Sequence, residues 1–174
     1  MRTLGAVLAG GRSLRFGSDK AAALLGGRTL MEHAIAALEP HAEAVAVVGR
    51  QTGGAPAVAD WPQPGMGPLG GIAGALIHAA ESGFDQLLTI SVDCVRLPAG
   101  LRTLLEPAPA FLASQPVIGL WPVAVLEPLK ALLAETEDHA VKAFARRIGA
   151  RAVAGDFVPP NINSRDDLAG LASE

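Results

Sequence analysis

"TLGAVLAGGRSLRFGSDKA", residues 3–21, joins a short apolar run to two glycines and then to a polar loop. An apolar run that ends in glycines is typical of a buried strand leading into a turn, so residues 3–9 predict the first strand. Further apolar runs of similar length predict three more buried strands, at 44–49, 56–60 and 86–92.

Helices are predicted between these strands and after them. Residues 30–40 repeat apolar side chains at helical spacing, with Thr29 placed to cap the helix and Pro40 to end it. The proline and glycine stretch 61–71 leads into a second helix, which we expect to begin at about Leu69. Three later segments predict amphipathic helices: 125–136, 139–149 and 164–172.

The last third of the chain also contains strand candidates. Residues 110–122 are ambiguous between two short strands and a loop, while residues 151–155 predict a late strand. Ser164, with Asp167 three residues on, predicts a cap for the terminal helix. Four prolines argue against regular central pairing of 110–122: Pro107, Pro109, Pro116 and Pro122.

This alternation of strands and helices favours an α/β fold with a mostly parallel sheet covered on both faces. We interpret residues 1–174 as a single domain, because 174 residues support one sizeable core. Ligands of such sheets bind at the carboxyl ends of strands where the strand order reverses, so we expect the site there.

Composition narrows the classes of function. The net charge of −3 provides no basic field for duplex nucleic acid, so any bound anion is expected to be small. Cys94 is the single cysteine, which excludes an internal disulfide and a cysteine zinc cluster. No apolar run approaches the roughly 20 residues of a membrane helix, and we expect a soluble, cytoplasmic protein.

The loop after the first strand carries the clearest chemical signal. Gly10 and Gly11 allow backbone amides to approach a ligand, and the side chains of Arg12, Arg15 and Lys20 suit phosphate oxygens. The loop is neither a Walker A motif nor a dinucleotide fingerprint. These residues are compatible both with a phosphate-binding loop and with a solvated strand-to-helix loop.

A second glycine motif, "GMGPLG" at residues 65–70, formally matches the dinucleotide pattern. It follows a proline-rich stretch rather than a strand, and Pro68 removes an amide that a pyrophosphate would need. We therefore expect either a loop around the mouth of the site or a flexible turn without ligand contact.

Two aspartates follow predicted strands. Asp93 ends a strongly apolar strand, and a carboxylate there suits Mg²⁺ shared with triphosphate oxygens, or else caps the turn before Pro98. Asp60 occupies the matching place after the third strand, although aspartate before a turn is also ordinary.

These loops resemble the MobA-type molybdenum cofactor guanylyltransferases. "LAGGRSLRFGSDKA" (8–21) is similar to the family signature LAGGxSxRMGxDKA, with Phe16 in place of Met. The resemblance continues through "GPLGGIAGAL" (67–76), the strand ending at Asp93 and "NINSRDDL" (161–168), and so spans nearly the whole chain.

The resemblance implies a Rossmann-like three-layer sandwich of the nucleotide-diphospho-sugar transferase type. It implies transfer of GMP from GTP to the terminal phosphate of molybdopterin, with release of pyrophosphate and with Mg²⁺ as cofactor. Other cofactor-biosynthesis proteins or molybdoenzyme chaperones would be further partners. It also implies a set of nucleotide-binding residues: Leu8, Ala9, Gly10, Gly11, Lys20, Asp60 and Asp93.

Within this implied site, Arg15, Lys20 and Asp93 would be the catalytic residues, with Lys20 on the phosphates and Asp93 on the metal. Two departures concern the neighbouring segments: Cys94 and Val95 replace the residues that usually follow the aspartate, and 110–122 is shorter than the family's acceptor hairpin. Three alternatives remain: a cytidylyltransferase or sugar-phosphate nucleotidyltransferase of the same fold, a non-catalytic nucleotide-binding scaffold, and an NAD-binding protein.

Overall fold

The structure is a computed structural model, and it describes residues 1–11, 19–51, 54–135, 138–160 and 162–173. The strands within these residues are β1 (Thr3–Leu8), β2 (Leu24–Leu25), β3 (Arg28–Thr29), β4 (Ala44–Val48), β5 (Ala57–Val58), β6 (Gln86–Ser91), β7 (Ala110–Leu112), β8 (Gln115–Pro122) and β9 (Arg151–Val153). The helices are α1 (Leu30–Leu38), α2 (Gly67–Glu81), α3 (Leu101–Leu105), α4 (Leu126–Glu135), α5 (Val141–Arg147) and α6 (Arg165–Ala172).

Seven strands form one sheet in the order β5-β4-β1-β6-β8-β7-β9. Among the described strands of this sheet, β8 alone runs against the others, since it pairs antiparallel with both β6 and β7. The carboxyl ends of β5, β4, β1 and β6 therefore meet at one edge, where the order reverses around β1. The predicted mostly parallel α/β sheet is confirmed.

Helices cover both faces of the sheet, because its central strands are mostly apolar and bury alternate residues on opposite sides. Leu4 and Ala6 of β1 pack into a cluster with α2, α4 and α5, whereas Val7 packs into a second cluster with α1 and α3. The fold is thus a three-layer sandwich, as the resemblance implied. Within the described residues, none of the helices is long and apolar enough to cross a membrane.

The caps predicted from the sequence hold two helices in place. The Glu32 amide donates to Thr29 Oγ1 at 3.1 Å and the Thr29 amide donates to Glu32 Oε2 at 2.7 Å, a reciprocal capping box. Ser164 and Asp167 form the same arrangement at the start of α6.

Residues 110–122 correct one prediction. They form β7 and β8. Strand β8 pairs with β6 on one side and with β7 on the other, so it is a central strand, where the prolines argued against regular pairing. The prolines do not prevent this, because Pro122 ends the ladder with β6 and Pro116 lies beyond its other end, at Thr89 and Gly119. The missing amides therefore fall at the ends of the strand, where a ladder hydrogen bond is least needed.

Two smaller differences concern short elements. Helix α2 begins at Gly67, two residues before the predicted start, because proline is compatible with the first turn of a helix. The β2–β3 hairpin and α3 were not predicted, since elements of two to five residues carry too little periodicity to be recognised.

Candidate functional site

A cavity of about 670 Å³ opens at the carboxyl edge of the sheet. Its wall from β1 and the following turn contains four predicted nucleotide-binding residues: Leu8, Ala9, Gly10 and Gly11. Asp60 and the proline and glycine stretch from Pro64 to Pro68 form the facing wall of the cavity. Ser91 of β6 and Val117 of β8 also line the cavity. Gly65 and Gly67 of the "GMGPLG" motif line this cavity, so the motif lies at its mouth as one of the two interpretations expected.

The turn after β1 packs against the turn after β4 with almost no space between the backbones. Gly49 has φ +81°, and a Cβ atom there would lie 2.6 Å from Gly10 Cα and 2.9 Å from Gly10 N. The same Cβ position is 3.5 Å from Asp60 Oδ1. Glycine at position 49 therefore lets two strand ends and a carboxylate converge on one wall of the cavity.

Asp60 is half-buried in this glycine-lined corner. Burial raises the pKa of its carboxyl group above the ordinary value, and a hydrogen bond from the Gly65 amide partly offsets that effect. No salt bridge joins Asp60 to a residue that the structure describes. A desolvated carboxylate of this kind is suited to N–H donors supplied by a ligand.

Lys20 and Asp93 form an ion pair at the same edge. Lys20 Nζ lies 2.6 Å from Asp93 Oδ1, and the two side chains are 11% and 15% exposed. Oδ1 is buried, and the Lys20 ammonium group lies at the distance of a charge-assisted hydrogen bond from it. Burial raises the pKa of Asp93, and the nearby Lys20 ammonium group counteracts this increase.

The position of Lys20 follows from a short turn. Residues 20–22 form one turn of 3₁₀-helix, in which the Ala23 amide donates to the Lys20 carbonyl at 3.1 Å. Ala21 is buried beneath it, while Lys20 reaches towards the loop after β6. The ammonium group of Lys20 also lowers the pKa of Asp167 at the start of α6, after the hydrogen bonds from Asn163 and Ser164. Asp167, in the described part of the "NINSRDDL" segment, therefore lies within electrostatic range of Lys20.

A second ion pair joins Asp19 to Arg50, which follows β4. The Arg50 guanidinium group donates to Asp19 Oδ2 and is the main reason that the pKa of Asp19 is lowered. The sequence analysis did not single out either residue. The cationic residue directly after the 44–49 strand was the signal that could have identified Arg50, because it follows a strand that ends at the predicted edge.

The residues present fit a magnesium site in which the protein supplies one carboxylate and a nucleotide supplies the other ligands. Asp93 Oδ1 is a buried carboxylate oxygen whose partner is a cation, Lys20, and it is a hard ligand of the type that Mg²⁺ prefers. The described residues contain no group of three or more His, Cys, Asp or Glu side chains able to hold a metal ion. One carboxylate plus phosphate oxygens from a nucleotide would complete such a site.

The structure thus brings most predicted residues to one edge. Leu8, Ala9, Gly10, Gly11 and Asp60 line the cavity, and Asp93 follows Ser91 of its wall by two residues and pairs with Lys20. Arg12 and Arg15, two of the expected phosphate contacts, belong to residues 12–18 and so lie outside the described residues. Cys94, next to Asp93, is buried, and burial raises the pKa of its thiol.

Comparison with known proteins agrees with the features of this edge. The family model of the MobA-like NTP transferase domain matches residues 5–152. A molybdenum cofactor guanylyltransferase of Rhizobium johnstonii is 37% identical over 185 residues, covering 94% of this chain and 88% of the relative. One of Acidiphilium cryptum is 38% identical over 176 residues, covering 93% and 90%.

Among solved structures, molybdopterin-guanine dinucleotide biosynthesis protein A from Archaeoglobus fulgidus has a similar fold. It superposes with a TM-score of 0.78 at 19% identity, covering 98% of this chain and 97% of that one. At this identity the likeness concerns the fold, and the chemistry depends on the side chains of the cavity.

Proposed function

Because this chain belongs to the MobA-like NTP transferase family, we propose that it transfers GMP from GTP to the terminal phosphate of molybdopterin. In this reaction an oxygen of the acceptor phosphate forms a bond to the α-phosphorus of GTP. The bond from that phosphorus to the bridging oxygen of the β-phosphate breaks, and pyrophosphate leaves with the electron pair. The observation that carries the proposal is the cavity of about 670 Å³ between the glycine turn and Asp60, with the Lys20–Asp93 pair at the same edge.

The glycine turn is the proposed phosphate-binding element. Gly10 and Gly11 are exposed to the cavity without Cβ atoms, so their backbone amides can approach phosphate oxygens closely. We assign Lys20 and Arg15 to the triphosphate, where their charges would stabilise the negative charge that develops in the transition state. Leu8 and Ala9 would contact the nucleotide at the end of β1.

Asp60 is the residue that we assign to base selection. A carboxylate accepts two parallel hydrogen bonds, and the Watson–Crick edge of guanine offers two adjacent N–H donors, whereas cytosine and uracil do not. The half-buried position and the raised pKa of Asp60 support this role, because a ligand that pairs with the carboxylate offsets its desolvation. A site that loses two hydrogen bonds with the wrong base discriminates strongly against it.

Asp93 is the proposed ligand of Mg²⁺, bound together with phosphate oxygens of the nucleotide. When bound, the ion neutralises phosphate charge and stabilises the pyrophosphate leaving group. In the nucleotide-free protein, Lys20 supplies the positive charge beside Asp93 instead. Reaction rate then depends on the alignment of the acceptor phosphate with the α-phosphorus, since phosphoryl-type transfer requires little covalent assistance.

The first test is thermal unfolding with GTP, CTP, ATP and UTP, each with and without Mg²⁺, because ligand binding stabilises the folded state. We expect GTP with Mg²⁺ to give the largest increase in Tm. A preference for CTP or UTP would instead indicate a sister activity on this fold, and no response to any nucleotide would contradict the proposal.

The second test measures pyrophosphate release with molybdopterin as acceptor. We expect Asp93→Asn to abolish magnesium-dependent transfer while the far-UV circular dichroism spectrum stays that of the wild type. Full activity of Asp93→Asn would refute the metal assignment. Nucleotide binding by the wild type without any turnover would favour the non-catalytic scaffold.

A further inference from the structure

We infer that Arg50 is a positioning residue of the triphosphate site, which holds Asp19 and thereby fixes Lys20 at the carboxyl edge of β1. The inference rests on the proposed function, because it concerns how that same site binds its nucleotide. It assigns a role to a residue that follows β4 and is separated by about 30 residues from the loop that it holds.

The two ion pairs of the site hold the same turn from opposite sides. In the sheet, β1 lies between β4 and β6. Asp19 pairs with Arg50 beyond the end of β4, and its neighbour Lys20 pairs with Asp93 beyond the end of β6. Adjacent side chains therefore reach to the two flanking strands, and the chain at 19–20 is fixed above β1 between them.

Backbone contacts place Arg50 for this role. Gly49, the residue before it, packs against Gly10 so closely that a Cβ atom would not fit. The Gly49 amide donates to the Val58 carbonyl at 2.9 Å, and the Ala9 amide donates to the Val48 carbonyl at 3.0 Å. The backbone at Arg50 is therefore held both by the turn after β1 and by β5, so the Arg50 side chain extends from a fixed position.

The pair is too exposed to matter mainly for folding. The side chains of Arg50 and Asp19 are 34% and 46% exposed, and exposed ion pairs contribute little to stability. Removing either partner should leave the fold intact and act on the position of the neighbouring Lys20. An ion pair of this exposure supports an effect of at most about fivefold on an equilibrium constant.

Two explanations of an Arg50 effect predict opposite behaviour of Asp19. If Arg50 acted only as a diffuse positive charge near an anionic ligand, removing it would weaken GTP binding and removing the Asp19 carboxylate would strengthen it. If the pair positions Lys20, both substitutions weaken binding. The double substitution restores the wild-type net charge, so diffuse charge predicts wild-type binding and positioning predicts the weakened binding of the single variants.

The experiment therefore compares Arg50→Met, Asp19→Asn and the double variant with the wild type. GTP affinity in the presence of Mg²⁺ is measured by titration calorimetry, and KM and kcat are measured from pyrophosphate release with molybdopterin. Arg147→Met is the matched control, because Arg147 forms a similarly exposed ion pair, with Glu135, on α4 and α5. Far-UV circular dichroism and Tm show that each variant folds.

We expect each single variant to raise the Kd and the KM for GTP by about fivefold with kcat within about twofold. The double variant should match the single ones, and Arg147→Met should match the wild type. Arg50→Lys, which keeps the charge but not the planar fork, should fall between them. A purely structural defect would lower Tm without this division between KM and kcat.

Tighter GTP binding by Asp19→Asn, or unchanged binding by Arg50→Met and Asp19→Asn, would overturn the inference while the wild type still binds GTP. Failure of the wild type to bind any nucleoside triphosphate would overturn the proposed function and this inference with it. The two failures are therefore distinguished by the wild-type titration alone.

Discussion

Gly49→Ala tests the close approach between the turn after β1 and the turn after β4. Gly49 has φ +81°, a conformation that alanine adopts only at a cost of about 1–2 kcal/mol. The added Cβ would also lie 2.6 Å from Gly10 Cα and 2.9 Å from Gly10 N, and both of these are backbone atoms. Neither contact can be relieved by a side-chain rotation, so one of the two turns has to move.

The expected loss of stability combines these two effects. Overpacking of this kind costs about 1–3 kcal/mol, so the free energy of unfolding should fall by about 2–5 kcal/mol in total. Gly149→Ala is the matched control, because Gly149 has φ +66° with open space around it and precedes β9 at the opposite edge of the sheet. The control carries the conformational cost alone, about 1–2 kcal/mol.

Urea unfolding of the three proteins measures these free energies, with equal m-values as the condition for comparing them. Repeating it at GTP and Mg²⁺ concentrations of about 100 times the wild-type Kd should stabilise the wild type by about 2.7 kcal/mol. We expect Gly49→Ala to lose more than half of that stabilisation and Gly149→Ala to keep it. The packing of Gly49 against Gly10 does not shape the site if two quantities differ by less than about 0.5 kcal/mol between Gly49→Ala and Gly149→Ala. These quantities are the free energy of unfolding and its increase with GTP and Mg²⁺.

Two further predictions concern the charged groups of the site. Lys20→Met removes the ammonium group that pairs with Asp93. We therefore expect the nucleotide-free variant to bind Mn²⁺ more tightly than the wild type in an EPR titration, and to bind GTP more weakly. Unchanged Mn²⁺ affinity would show that Lys20 does not compete with a metal ion for this carboxylate. Asp60→Asn removes a carboxyl group whose pKa burial raises above 3.8, so ionised Asp60 costs stability that protonated Asp60 does not. The variant should therefore have a higher free energy of unfolding than the wild type at neutral pH, and this difference should shrink towards pH 4. It should also show less preference for GTP over CTP. A difference in free energy of unfolding that stays constant from neutral pH to pH 4 would contradict the burial argument.

The sequence predicted the parts of this site that depend on local pattern. Apolar runs located β1, β4 and β6, and the residues that follow them had to lie at one edge of a parallel sheet. Thr29 and Ser164 marked helix starts because a capping residue acts within three residues of itself. The positions of Asp60 and Asp93 at the edge followed from the same argument.

The parts that the sequence did not predict depend on contacts between distant segments. The Arg50–Asp19 pair joins residues 31 positions apart, and no spacing rule connects them. The position of β8 inside the sheet depends on where its prolines fall in the ladder with β6, which is a matter of register rather than composition. The Lys20–Asp93 contact was likewise absent from the prediction, although both residues were in it.

The surroundings of the two carboxylates differ in a way that matches their proposed functions. Asp93 already has a cation, Lys20, at 2.6 Å, so a ligand reaches it by replacing one positive charge with another. Asp60 has no ion pair with a described residue and lies among glycines, where a neutral N–H donor fits and a hydrated cation would have to displace the Gly65 amide. Exchange of a cation therefore supports the proposal that Asp93 binds the metal and the phosphates. Hydrogen bonding to a neutral ligand edge supports the proposal that Asp60 binds the base. A nucleotide that spans both carboxylates satisfies each with its own kind of partner, which an isolated phosphate or an isolated base cannot do.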